Sequence, residues 1–161
     1  MFRQAIKWVK ANQDLLIDVS DQIWGFAELG LKEFKSSKLL AKTLDEAGFA
    51  LKMGVADMPT AFYADYGEGK PVIGILGEYD ALPGLSQKAQ PFREVLLEDA
   101  PGHGCGHNLL GVEKVMYVGK CIGFFGFKLF ISSFSFFIII VPDPNFKNAI
   151  DFNALIKSMS L

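Results

Sequence analysis

Seven consecutive residues, Gly102-His103-Gly104-Cys105-Gly106-His107-Asn108, hold both histidines of the chain and one of its two cysteines. A cysteine thiolate is a soft metal ligand, and a neutral imidazole is the commonest nitrogen donor. Cys105 and His107 stand two residues apart among Gly104 and Gly106, whose backbone freedom would aim both side chains at one point. Two donors do not complete a site. Zinc takes about four, with one position left to water where the metal is catalytic. The pair also suits a glycine-rich turn with an incidental thiol. Glu78 and Asp80 form a second constellation. They are one residue apart, on one side of an extended chain, and follow a short apolar run. Carboxylates at such a place are costly unless they bind something. Asp80 would orient a metal-bound histidine from behind; the other reading is a solvated strand end.

The elements that must position these residues are legible in part. Leu16, Val19, Ile23 and Phe26 recur at spacings of three and four, which predicts a helix with one apolar stripe, capped at Asn12 and closed near Gly30. A second helix is expected from Ser36 or Ser37 to Ala47, with Leu40, Leu44 and Ala47 inward, Gly48 closing it and Phe49 packing back. Thr60 to Tyr66 reads as a strand, and Gly67 to Lys70 as a turn. Val72 to Leu76 reads as a strand buried on both faces. Helices followed by a buried strand predict an α/β sheet, in which ligands bind beyond the carboxyl ends of strands. Glu78 to Gly84 lies at such an end. Gly84 to Pro101 reads as an irregular connection, and a helix is expected to start at Asn108.

Glu78-Tyr79-Asp80-Ala81-Leu82-Pro83-Gly84 followed by the segment Gly102 to Asn108 closely resembles metallopeptidase family twenty, the aminoacylases, carboxypeptidases and amidohydrolases. Within it the likeness is to the aminobenzoyl-glutamate hydrolase and N-acyl-amino-acid amidohydrolase branch. Trp24-Gly25-Phe26-Ala27-Glu28-Leu29-Gly30 and Met58-Pro59-Thr60-Ala61 fit the same pattern, so the resemblance runs from roughly Gln13 to Gly111. It implies an α/β catalytic domain with a mixed sheet flanked by helices. It also implies two divalent metals, zinc or manganese, and a smaller inserted domain through which relatives often form homodimers. Cys105 and His107 would be metal ligands and Asp80 a supporting catalytic residue. Glu78 stands where other branches carry a histidine ligand. His103 occupies a motif position that is not expected to ligate, Glu78 and His103 are candidates for supporting roles, and Asn108 replaces an aspartate. The implied reaction is metal-assisted hydrolysis of an amide bond in N-acyl amino acids, aminobenzoyl-glutamate or dipeptides. Its general base would be a glutamate of a downstream Glu-Glu pair.

No histidine follows His107 and no glutamate follows Glu113. The remaining ligands, the general base and the inserted domain therefore have no counterpart, and the chain alone is expected to be inactive. Another reading makes Glu78, Asp80 and Glu113 the further donors of a small complete metal site. Composition changes at about Val115: nine of the fifteen phenylalanines lie beyond Cys121, where the acidic residues are only Asp143 and Asp151. The chain is accordingly divided into a partial catalytic domain, 1–114, and an atypical hydrophobic tail, 115–161. Cys121 to Val141 is about as long as a membrane span, which needs roughly 20 residues. Lys128 inside it opposes that reading, and mistranslated or degenerate sequence is preferred to an anchor. Leu129 to Val141 is aggregation-prone wherever exposed. A net charge of -2 gives no reason to expect a nucleic-acid partner. Two cysteines make no disulfide framework, and Lys7 and Lys10 break any apolar leader, so a cytoplasmic, reducing setting is expected.

Overall fold

A computed structural model describes residues 2–67, 72–112, 126–131 and 139–141. Helix α1 spans Phe2–Phe26 and α2 spans Phe34–Glu46. The strands are β1 (Ala50–Met53), β2 (Phe62–Tyr66), β3 (Val72–Gly77), β4 (Gly126–Ile131) and β5 (Ile139–Val141). They form one sheet in the order β1-β2-β4-β3-β5. Only β3 and β4 run parallel, pairing from Val72 with Gly126 to Gly77 with Ile131. The other three pairings are antiparallel, so the sheet is mixed. This is the fold class expected of the motifs.

Three of the four stripe residues of α1 are buried, Leu16, Val19 and Ile23 meeting Leu40, Ala41 and Leu44 of α2, with Phe49, Phe62, Ala64, Tyr79 and Val112 in the same core, while Phe26 is only half-buried. The helix begins ten residues before Asn12, whose side chain instead donates to the Trp8 carbonyl at 2.8 Å. It is closed by Ala27 in a left-handed conformation (φ 44°), and Gly30 is not among the residues of positive φ. Helix α2 starts at Phe34, two residues before the serines. The carboxylate of Glu28 draws its start forward by accepting the backbone N–H groups of Lys35 and Ser36 and the Ser36 hydroxyl, at 2.8–3.0 Å. An anion there satisfies amides that have no partner within the helix. At its other end the prediction holds. Gly48 takes φ 89°, and the Phe49 amide returns to the Leu44 carbonyl at 3.0 Å, with the Phe49 ring buried.

Three strands, β1, β4 and β5, differ from the sequence reading. β1 has no apolar alternation and lies exposed at the sheet edge. β4 lies within the stretch read as an apolar span, yet its backbone pairs with β2 on one side and β3 on the other. A continuous apolar run does not by itself separate a buried strand from a helix. No helix among the described residues is long and apolar enough to cross a membrane. Glu113, Cys121, most of the Gly67–Lys70 turn and the rest of the tail lie outside the described residues.

Candidate metal centre

The site lies just beyond the carboxyl end of β3, where an α/β sheet offers an open crevice. Alternation of the extended chain sends Tyr79 inward and Glu78 and Asp80 to the opposite side. Tyr79 is fully buried against Phe62, with ring centroids 6.3 Å apart. Its hydroxyl donates to the Thr60 carbonyl. Burial, with the charge of Glu33 next, pushes the Tyr79 phenol far above its usual range. It therefore serves as a neutral donor. The next residues are pinned on both sides. The Ala81 amide donates to the Glu28 carbonyl at 2.8 Å, and Leu82 and Gly102 exchange backbone hydrogen bonds at 3.0 and 2.9 Å. The second exchange holds the histidine-rich loop beside the strand end.

Glycines make that approach feasible for different reasons. A Cβ on Gly102 would sit 2.0 Å from the Leu85 carbonyl oxygen, and one on Gly104 would sit 2.5 Å from the Leu85 side chain. Gly106 alone of the loop glycines takes a positive φ, 73°, at the turn into the helical residues 107–112. A Cβ on Gly111 would lie 2.7 Å from the Glu78 carbonyl oxygen, so that helical segment packs directly on the backbone of the site.

His107 is the centre of the constellation. Its Nδ1 lies 2.8 Å from Asp80 Oδ1, and its Nε2 lies 3.5 Å from Glu78 Oε2. All three side chains are largely shielded from solvent. Asp80 thus holds one ring nitrogen, the place expected of an orienting carboxylate. The other nitrogen faces Glu78. Cys105 is exposed on the same turn. His103 is buried and turns away, with Nε2 3.0 Å from the Ile23 carbonyl of α1 and its ring 6.2 Å from Trp24. Burial lowers its pKa from the ordinary histidine value, and its Nδ1 has no hydrogen-bond partner among the described residues. His103 therefore anchors the loop to α1. The Asn108 amide adds a second anchor by donating to Ser20 Oγ at 3.0 Å.

The structure thus joins Glu78, Asp80 and His107, sets Cys105 two residues away on the loop, and takes His103 out of the set. No three His, Cys, Asp or Glu side chains among the described residues stand together as a metal cage. The side chains on hand are of types that metals take as ligands or as supports: a thiol, an imidazole with one nitrogen held by a carboxylate, and a second carboxylate before the other. Sequence reasoning missed Glu33. Its side chain is fully buried and accepts the Thr60 hydroxyl at 2.7 Å.

The chain is 49% identical over 106 residues to one of the polypeptides of p-aminobenzoyl-glutamate hydrolase from Escherichia coli K12. It is a homologue of that hydrolase polypeptide. The match takes in 64% of this chain and 22% of the relative. Two thermostable carboxypeptidases of Saccharolobus solfataricus are 30% and 31% identical over 102 residues, which are 25% of their length. The chain therefore spans about a fifth to a quarter of its curated relatives. Its fold matches a Bacillus subtilis dinuclear metal binding peptidase of the M20 family, with TM-score 0.62 and 22% identity over 76% of this chain and 35% of the other. It also matches a putative aminohydrolase of methicillin-resistant Staphylococcus aureus, with TM-score 0.63 and 19% identity over 81% of this chain and 34% of the other. No family model matches the chain. The described part of the chain thus shares the fold of a domain found in an M20 peptidase, and its homologues are named as a hydrolase subunit and carboxypeptidases.

Proposed function

We propose that this chain carries one side of a divalent-metal amidohydrolase centre, with Cys105 and His107 as ligands, Asp80 as the residue that orients His107, and Glu78 as the carboxylate facing the metal. The observation that supports this most is the Asp80–His107 pair, 2.8 Å at Nδ1. A carboxylate on that nitrogen fixes the tautomer in which Nδ1 carries the proton and Nε2 keeps its lone pair for a metal. Zinc and manganese both suit the donor types. A bound metal would supply Lewis acidity toward a substrate carbonyl. The residues present would do the rest of this half: Asp80 holds the His107 ring at Nδ1, Glu78 faces Nε2, and Cys105 lies two residues earlier on the same glycine loop.

The substrate class is the amide bond of N-acyl amino acids or dipeptides, with aminobenzoyl-glutamate first, after the name of one relative. The 161 residues hold only two histidines and no glutamate after Glu113. We therefore expect this chain by itself to hold metal weakly and to turn over no substrate at an enzyme's rate. A remnant that keeps part of a metal loop is the alternative. The relative is named as one subunit of its hydrolase, which makes completion by another chain the natural test. Purified protein would be titrated with zinc and manganese and assayed for release of p-aminobenzoate. Metal uptake abolished in Cys105→Ala, without turnover, is the expected result. Metal-dependent turnover by this chain alone, lost in Cys105→Ala, would show a complete enzyme. No uptake at all would leave only the remnant.

A further inference from the structure

The site leaves unused a buried polar chain behind it. Tyr79 lies between Glu78 and Asp80, and its side chain points into the core. Its hydroxyl donates to the Thr60 carbonyl, and the Thr60 hydroxyl donates to Glu33 Oε2 at 2.7 Å. Tyr79 and Glu33 are 0% exposed and Thr60 is 1% exposed. Glu33 stands at the entry of α2, and Thr60 stands just before β2. The three groups thus tie α2 and β2 to the one residue that separates the two site carboxylates. A buried polar chain costs free energy unless its members are satisfied, and satisfied ones specify a single arrangement. What is specified here is a rotation. Successive residues of an extended chain face opposite sides, so a slip of one position would bring Tyr79 to His107 and drive both carboxylates into the core. Apolar packing of the ring alone does not fix where the hydroxyl end lies; a hydrogen bond to the Thr60 carbonyl does.

We infer that Glu33, Thr60 and Tyr79 form a positioning clamp that sets the Glu78–Asp80 segment against His107 and so determines the tautomer and metal affinity of that histidine. The metal arm of this inference rests on the function proposed above; the tautomer arm does not. The clamp also gives a role to Met58-Pro59-Thr60-Ala61, a segment that contributes nothing to the site directly.

The test compares wild type with Tyr79→Phe, Thr60→Val and Thr60→Ser. Tyr79→Phe keeps the ring, Thr60→Val keeps the shape, and Thr60→Ser keeps the hydroxyl. Side-chain nitrogen NMR of metal-free protein at pH 8 reads the His107 tautomer, and titration with cobalt(II) reads affinity through the Cys105 thiolate charge-transfer band. We expect wild type and Thr60→Ser to hold the Nδ1–H form. Tyr79→Phe and Thr60→Val are expected to mix the two tautomers and to bind cobalt about tenfold more weakly, the loss typical when groups supporting a ligand are removed. A lower melting temperature with an unchanged tautomer would overturn the clamp, since a merely structural role moves only the first. Should Tyr79→Phe not fold, Thr60→Val against Thr60→Ser tests the clamp at its Thr60–Glu33 link, since the backbone carbonyl that holds the Tyr79 hydroxyl survives both substitutions. A wild-type chain that takes up no cobalt would sink the metal reading, and the His107 tautomer would still decide the clamp.

Discussion

His107 sits between two carboxylates that treat it unequally. Asp80 at 2.8 Å makes a hydrogen bond, while Glu78 at 3.5 Å is only an electrostatic neighbour. Asp80→Asn should therefore cost more than Glu78→Gln in orientation of the ring. Its metal affinity should fall by about 10- to 100-fold, as chelator competition would measure, with little change in the melting temperature. His103 predicts a pH effect. Its folded-state pKa is lowered, chiefly by burial, so below the ordinary histidine value of about 6.5 the unfolded chain binds a proton that the folded chain refuses. Stability from this residue is present above that value and is lost as pH falls through it toward the lowered one. Melting temperatures from pH 7.5 to 5.5 should drop less steeply in His103→Gln, which keeps a donor for the Ile23 carbonyl. Equal slopes would remove His103 from the account. At this scale the pairing of Asp80 with a loop histidine was legible because a chain with two histidines leaves little choice. Glu33 was not legible, because a buried glutamate looks in sequence like any surface one.

At the scale of elements, legibility followed periodicity. The 3.6-residue stripe exposed both helices, and Gly48 with Phe49 exposed the end of α2. The start of α1 and the strand β1 were hidden. Ala50 to Met53 is a short edge strand whose exposure pattern shows no alternation. The end of α1 was misplaced because Ala27, not a glycine, takes the left-handed turn. An L-residue in that conformation costs roughly 1–2 kcal/mol, so Ala27→Gly should leave stability unchanged or raise it by up to about 1 kcal/mol. Gly102→Ala should do the reverse. Its Cβ would meet backbone 2.0 Å away, and overpacking of this kind typically costs about 1–3 kcal/mol. Denaturant midpoints decide both. A tolerated Gly102→Ala would mean that Leu85 and the loop do not approach as described.

The whole molecule turns on where the sheet gets its middle. β1 and β2 follow the helices directly, and β3 carries the site at its end, but β2 and β3 are not hydrogen-bonded to each other: β4 lies between them. A change of composition at about Val115 suggested a separate tail. The eye reads an apolar, phenylalanine-rich run as a span or as foreign sequence, since such a run carries no alternation to reveal a strand paired on both sides. The backbone places Leu129 opposite Ala64 of β2 and opposite Ile75 of β3. A proline there removes a ladder donor in the sheet interior, where proline is hardly ever found, and should be strongly destabilising. Ile140 lies in β5, which pairs only with β3 at the opposite edge from β1, and proline is tolerated far better on an edge. Leu129→Pro should therefore abolish cooperative thermal unfolding, or shift it by many degrees, while Ile140→Pro should leave a transition near that of wild type. If Leu129→Pro melts like wild type, residues 1–114 fold without β4 and the tail is separate after all. If it unfolds the protein, the apolar segment is the strand on which the site-bearing β3 depends.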